Sequence, residues 1–287
     1  MQTFLKHCRW GQFLLIRGDM ISGYVDKLGH WADIEVDLFR ALLPPSGGAC
    51  IEVGSNIGMH AVPLSRLCEG GEVICYEPQR PVFHVLCANL ALNNRLNVRT
   101  RHAAVGEKAG RIAIETGSYD QAWNYGSFSI TKGFSNEGRF GGEVASEEVE
   151  IAALDSDPAL AHLERLDLLK VDAEGHELAV LKGAKGLIKR FQPSVFVEPS
   201  SRESVDSLKA MMGKLGYRGY WFAGQRYGPD DRFAPQPGSS HHDVNLLFRP
   251  EGDTGFGLPE LTGGMDLDPP GVPILASFGP GKGVPDA

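Results

Sequence analysis

IEVGSNIGMH, residues 51–60, is the stretch that decides how the chain is read. An apolar run carrying Glu52 passes straight into Gly54-Ser55-Asn56-Ile57-Gly58. Two glycines and an asparagine within five positions make a tight turn whose backbone can approach a ligand closely, because glycine reaches positive φ and has no side chain in the way.

Outward from that turn, short apolar runs alternate with amphipathic ones. GACIEV (48–53), GEVICYE (71–77), NVRTRHAAV (97–105), LDLLKVD (166–172) and PSVFVE (193–198) read as strands. Several are almost unbroken apolar runs, as expected of strands covered on both faces. WADIEVDLFRALL (31–43) and the run after Pro81 read as helices. In HELAVLKGAKGLIKRF, Leu178, Leu181, Leu187, Ile188 and Phe191 share one helical face. This alternation predicts an α/β fold with a doubly wound, mostly parallel sheet. After a helix near 202–215, YRGYWF and DVNLLFRP predict an antiparallel hairpin at one sheet edge. Residues 1–45 are expected to form a helical and strand extension packed on a core domain of 46–250. Residues 251–287, with nine glycines and six prolines, are expected to be a largely disordered tail. Residues 117–148, rich in Gly, Ser, Asn and aromatics, are too long for a simple connector and predict a mobile binding loop.

Composition excludes little. The chain has 287 residues, 42% hydrophobic and 22% charged, with a net charge of −8. Nucleic-acid binders usually carry a basic face, so none is expected as partner. The tail from Glu251 holds six acids and one lysine, which leaves only −3 on the rest. The five cysteines, Cys8, Cys50, Cys68, Cys75 and Cys87, form no CxxC pair and read as reduced thiols of a cytoplasmic protein. No run approaches the ~18 apolar residues of a membrane span, and the N-terminus has no signal-peptide apolar segment. Oligomeric state is not legible.

In an open parallel sheet, ligands bind beyond the carboxyl ends of the strands at the switch point of strand order. Residues 52–58 sit at such an end. The next strand ends in Glu77, where an acid accepts hydrogen bonds from ribose hydroxyls. A dinucleotide site would show GxGxxG; here Asn56 stands where a second glycine would admit a pyrophosphate, and no GxxxxGK[ST] occurs. The ligand therefore reads as a nucleoside without pyrophosphate, and S-adenosylmethionine (SAM) fits.

The stretches IEVGSNIG (51–58), CYEPQ (75–79) and, above all, LDLLKVDAEGHELAVLKGA (166–184) resemble the FkbM family of class I SAM-dependent methyltransferases. Weaker agreement extends from about Gly11 to Pro250. The resemblance implies a seven-strand, Rossmann-like methyltransferase fold and O-methylation of a hydroxyl on a sugar or natural product. It implies that Glu52, Gly54, Asn56, Gly58 and Glu77 line the cofactor; Ser55, Pro78 and Ala104 complete the expected cofactor set. Glu52 and Ser55 stand where the family commonly has Asp and Ala.

VDAEGHE places Asp172, Glu174 and His176 at the end of the fourth strand run, on the same sheet edge. These are the candidate catalytic groups: Asp172 to orient the cofactor amine or the acceptor, Glu174 or His176 to take the hydroxyl proton. Glu177 reads as a helix cap. HExxH is absent. Asp172 and Glu174 could hold Mg²⁺ through oxygen, but no metal is the favoured reading. His241 and His242 read as loop residues. The expected acceptor is a small molecule, recognised by Trp123, Asn124, Tyr125, Ser127 and Ser129. Rival readings are a SAM-dependent N- or RNA methyltransferase, a nucleotide-binding oxidoreductase and a non-catalytic SAM-binding module.

Overall fold

A computed structural model describes residues 1–226, 242–262 and 272–279; His241 lies outside them. The chain opens with a hairpin, β1 (Thr3–Cys8) and β2 (Gly11–Ile16), then helices α1 (Met20–Leu28) and α2 (Asp33–Leu42). The core follows as β3 (Ala49–Val53), α3 (Ala61–Leu67), β4 (Glu72–Tyr76), α4 (Arg80–Leu92) and β5 (Val98–Arg101). After β6 (Ala104–Val105), β7 (Gly110–Gly117) and β8 (Val144–Ala152) come β9 (Leu168–Val171), α5 (Glu177–Lys182), α6 (Lys185–Phe191), β10 (Ser194–Val197) and α7 (Arg202–Gly213). The chain closes with β11 (Tyr217–Gln225), β12 (His242–Pro250) and β13 (Ile274–Leu275).

The main sheet has the order β13-β11-β12-β10-β9-β3-β4-β5 among the described residues. β3, β4, β5, β9 and β10 are parallel, and β12 runs antiparallel between β10 and β11. The expected doubly wound sheet with an antiparallel edge hairpin is therefore present. The chain leaves β3 toward β4 and β5, then returns to β9 on the other side, so the switch point lies between β3 and β9. Two cores cover the two faces. Cys50, Cys75, Leu168, Phe196 and Leu247 belong to one; Ile51, Val53, Ile74, Leu169, Val171 and Val195 belong to the other. That division follows the period-two alternation of a strand buried on both sides. No described helix is long and apolar enough to cross a membrane.

Four expectations change. NVRTRHAAV is two strands: Val98–Arg101 stays in the main sheet, while Ala104–Val105 pairs with β8 in a separate three-stranded sheet. The helix over 176–191 is broken at Gly183, where a Cβ would stand 2.1 Å from the Gly106 carbonyl oxygen; that close approach requires glycine. The 117–148 segment is a packed aromatic knot: Tyr119, Tyr125, Phe128 and Phe134 are buried and stack on one another. The described part of the tail is not loose either. Leu258, Leu261 and Leu275 are buried, Trp221 and Leu261 amides donate to Pro259 and Gly219 carbonyls, and β13 pairs with β11. An edge strand with bare amides is a liability; this segment covers the edge that β11 would otherwise leave open.

The N-terminal hairpin is fastened to α4 by two buried asparagines. Asn89 exchanges hydrogen bonds with the Leu14 amide and carbonyl, and Asn93 with those of Gln12. This brings α1 and α2 over the carboxyl edge of the sheet.

Candidate functional site

A cavity of about 290 Å³ opens at the switch point, along the carboxyl ends of the parallel strands. Its floor is the turn after β3. Gly54 has φ +80, and a Cβ there would lie 1.8 Å from the Asp172 carbonyl oxygen; only glycine lets the β3 and β9 ends meet. Asn56 has φ +47, a left-handed conformation that asparagine tolerates better than most residues. Its Oδ1 accepts from the Ile57 amide at 2.7 Å, holding the turn.

Glu77 ties the turn after β3 to the turn after β4. Its Oε2 accepts from the Asn56 amide at 2.9 Å and its Oε1 from the Gln79 amide at 2.8 Å. The group is only 3% exposed, and burial lifts its pKa to about 7 against the pull of those amides. Each carboxylate oxygen keeps a lone pair for a second donor. Pro78 and Ala104 line the cavity beside it.

Not every expected cofactor residue reaches this cavity. Glu52 is 1% exposed and points into the sheet face, because its neighbours in register are Cys75 on β4 and Lys170 on β9. Lys170 Nζ lies 3.7 Å from Glu52 and 3.5 Å from Asp172. Burial raises Glu52 to about 7 despite the lysine. Glu52 and Ser55 line a small adjoining pocket of about 40 Å³. Gly58 lines neither space; at φ +88 it shapes the turn, and a Cβ there would press on Leu86. The signal for this pairing was the lone charge inside LDLLKVD, since a buried lysine needs a partner on a neighbouring strand.

At the β9 end, Asp172, Glu174 and His176 all line the cavity. Glu174 sits at φ +46, strain of the kind found at functional positions. Asn136 Nδ2 donates to its Oε2 at 3.2 Å. Burial, then the nearby Asp172, Glu137 and Glu177 charges, push its pKa to about 9. His176 stands apart against Gly106, and burial lowers its pKa. Glu177 is a structural group: it accepts from the Gly175 amide at 2.6 Å and is 2% exposed. Among the described residues no group of three or more His, Cys, Asp or Glu side chains is arranged to hold a metal ion.

The far end of the cavity was not anticipated. Trp31 before α2, Glu35 in α2, His60 before α3, Glu198 after β10, Arg226 after β11 and Asp243 in β12 all line it. Glu35 had a signal, since it shares a helical face with Leu38, Phe39 and Leu42. From the 117–148 segment, Asn124, Gly126, Phe128 and Ile130 reach the cavity, whereas Trp123 and Tyr125 do not. Trp123 Nε1 donates to the Phe134 carbonyl, and Tyr125 is 1% exposed. Ser129 lines a second chamber of about 400 Å³ with Thr131, Lys132, Asn136 and Ser200. The two spaces share Glu137, Asp172, Glu174 and Glu198.

Two buried polar atoms on residues lining the main cavity have no hydrogen-bond partner among the described residues: Asn124 Oδ1 and His60 Nε2. With the Glu77 carboxylate at one end and carboxylates at the other, the set matches a ligand that carries ribose hydroxyls and positive charge.

Residues 52–220 match the model of the methyltransferase FkbM domain. A methyltransferase, sdnD, of Sordaria araneosa is 31% identical over 165 residues, covering 48% of this chain and 61% of its own length. Methyltransferase 1 of Beauveria bassiana is 23% identical over 150 residues, covering 48% and 59%. The matches thus span about three fifths of those relatives. Among solved structures, an FkbM methyltransferase from Methylobacillus flagellatus is 20% identical with a TM-score of 0.43, covering 72% of this chain and 45% of that one. The O-methyltransferase TomG of Streptomyces achromogenes, solved with SAM, is 13% identical with a TM-score of 0.43, covering 75% and 78%.

Proposed function

The chain belongs to the FkbM methyltransferase family, and on that premise we propose that it transfers a methyl group from SAM to a hydroxyl of a small polar molecule, a sugar or a natural product. The observation that carries this reading is the meeting of two spaces at one pair of carboxylates. The main cavity has a nucleoside-type acid, and the second chamber is lined by hydroxyl and amide side chains; Asp172 and Glu174 belong to both.

When bound, SAM supplies a methyl on a sulfonium, which needs an aligned nucleophile. Glu77 accepts from the ribose hydroxyls through its remaining lone pairs, and Pro78 and Ala104 flank the nucleoside. The Gly54–Asn56 turn lets backbone approach the methionine portion. Asp172, held by Lys170, orients the cofactor amine or the acceptor. Glu174 takes the acceptor proton: it faces both spaces, and the positive charge of bound SAM would favour its ionised form, which burial and the neighbouring acids disfavour in the empty site. His176, against Gly106, is the less suitable base. Ser129, Thr131, Asn136 and Ser200 bind acceptor hydroxyls, and positioning supplies much of the rate.

Calorimetry with SAM and with its demethylated product S-adenosylhomocysteine (SAH) tests the cofactor half of the proposal; both should bind. A protein that binds NADH and neither of these is not a SAM-dependent methyltransferase.

A further inference from the structure

We propose that the methyl acceptor carries a protonated amine beside its reacting hydroxyl, and that Glu35 and Glu198, with the ring of Trp31, are the seat of that amine. The inference rests on the methyl-transfer reading and names the acceptor's class.

The layout of the carboxyl edge separates the two ligands. Glu77 follows β4, Asn56 follows β3, Asp172 follows β9 and Glu198 follows β10. With neighbouring strands ~4.8 Å apart, Glu198 stands about 14 Å along the edge from the ribose acid. A nucleoside seated at Glu77 would direct its methionine portion over β3 and β9, whose ends carry Gly54, Asn56 and Asp172 on the same cavity wall. The space from β10 to the hairpin is left for the acceptor.

That space holds more carboxyl groups than the cofactor requires, and burial lifts the pKa of Glu35 to about 8, so without a ligand cation it stays largely protonated at neutral pH. Arg226 is committed to Asp243, with Nε at 2.9 Å and Nη2 at 2.6 Å. Lys170 is committed to Glu52 and Asp172. Bound SAM has a net charge of one, which Asp172 balances. Among the described residues neither Glu35 nor Glu198 has a lysine or arginine salt bridge, although Lys132 lines the second chamber with Glu198, and Lys170 and Arg226 act on these acids from a greater distance. Glu198 is exposed to the cavity.

A second observation points the same way. His60, 7% exposed and on the same wall, has Nε2 without a hydrogen-bond partner, 3.6 Å from Glu35 Oε2. Burial keeps this imidazole neutral, so it does not balance Glu35. A carboxyl on the apolar face of a helix, with Lys170 acting on it only without contact, is costly to ionise; a ligand cation offsets that cost. Trp31 is already a cation face, since the Arg226 guanidinium lies 5.4 Å from its ring centroid.

The competing explanation is structural. Asn245 Nδ2 donates to Glu35 Oε1 at 3.1 Å, which fastens α2 to β12. Glutamine at position 35 would serve that tie equally well, so Glu35→Gln separates the two roles.

The experiment incubates the full chain with a small-molecule extract of the organism that encodes it and an equal mixture of SAM and trideuteriomethyl-SAM. Capillary electrophoresis with mass detection finds the product as a peak pair split by the label and reads its charge from its migration at neutral pH. The expected product moves as a cation. Glu35→Gln and Glu198→Gln should each lower its formation at least about tenfold, the scale of losing one charged hydrogen bond, while calorimetry returns the wild-type SAM affinity. A labelled product that is neutral or anionic, or variants that form it at the wild-type rate, would overturn the amine seat and leave methyl transfer standing. SAM binding without any labelled cation would overturn the seat in the same way. If SAM itself does not bind, the proposed function fails as well.

Discussion

Replacing Glu77 with alanine should cost both folding stability and cofactor affinity. The carboxylate accepts from two backbone amides, those of Asn56 and Gln79, in a site 3% exposed. Alanine leaves both N–H groups buried without an acceptor. Each such group costs ~1–3 kcal/mol, so the loss should be roughly 2–6 kcal/mol, nearer the lower end where water enters from the cavity. Urea unfolding measures it as a shift of midpoint at unchanged slope. SAM affinity should fall as well, by about tenfold or more, from loss of the ribose acceptor. Glu77→Gln should fall between, because an amide restores one acceptor oxygen but presents NH₂ to the second backbone donor. A Glu77→Ala variant with the wild-type urea midpoint would refute the reasoning: the two turns would not depend on this carboxylate.

Gly54→Ala should fail to fold or lose the cavity, given the 1.8 Å approach to Asp172 and φ +80; a soluble variant with wild-type unfolding and SAM binding would contradict this. Glu174→Gln should lower methyl transfer by about 10²–10⁴-fold, the range for losing a positioned base, with SAM affinity nearly unchanged by calorimetry. Without ligand, stability should fall as pH rises from about 6.5 to 9. Glu35 and Glu174 are raised by burial from 4.5 to about 8 and about 9, so the native state holds protons there that the unfolded chain has released. Below about 6.5 buried neutral His60 opposes this trend; a urea midpoint that rises across pH 7 to 9 would show that these acids do not control it. Truncation after Pro250 should destabilise by several kcal/mol, since Leu258, Leu261 and Leu275 are buried and each contributes ~1.5–3 kcal/mol; equal stability of the truncated chain would mean the edge cover is dispensable.

The parts of this fold legible in the sequence are those where pattern and chemistry agree. Unbroken apolar runs marked the parallel strands because both faces are buried, and Gly54 and Asn56 marked the turn because each needs a positive φ. Glu77 and Asp172 were legible from their position at strand ends. What escaped depended on contacts distant in sequence. Glu35 reaches the cavity because α2 packs on α3 and β11 and Asn245 of β12 donates to its carboxylate. Glu52 looked like a cofactor residue until register set it beside Lys170, a residue far along the chain. The Gly- and Pro-rich tail has no periodicity to read, yet its few leucines find the open edge of β11. In the 117–148 segment the aromatics were visible, but whether they faced a ligand or one another depended on their mutual packing, which composition does not carry.

The measurement that tests the central claim most directly is the electron density of a crystal grown with SAH. The account predicts the ribose hydroxyls on Glu77, the methionine portion over the Gly54–Asn56 turn, and the sulfur directed toward Asp172 and Glu174 where the second chamber begins. Density for SAH anywhere other than against Glu77, or a sulfur pointing away from the Asp172–Glu174 junction, would contradict it.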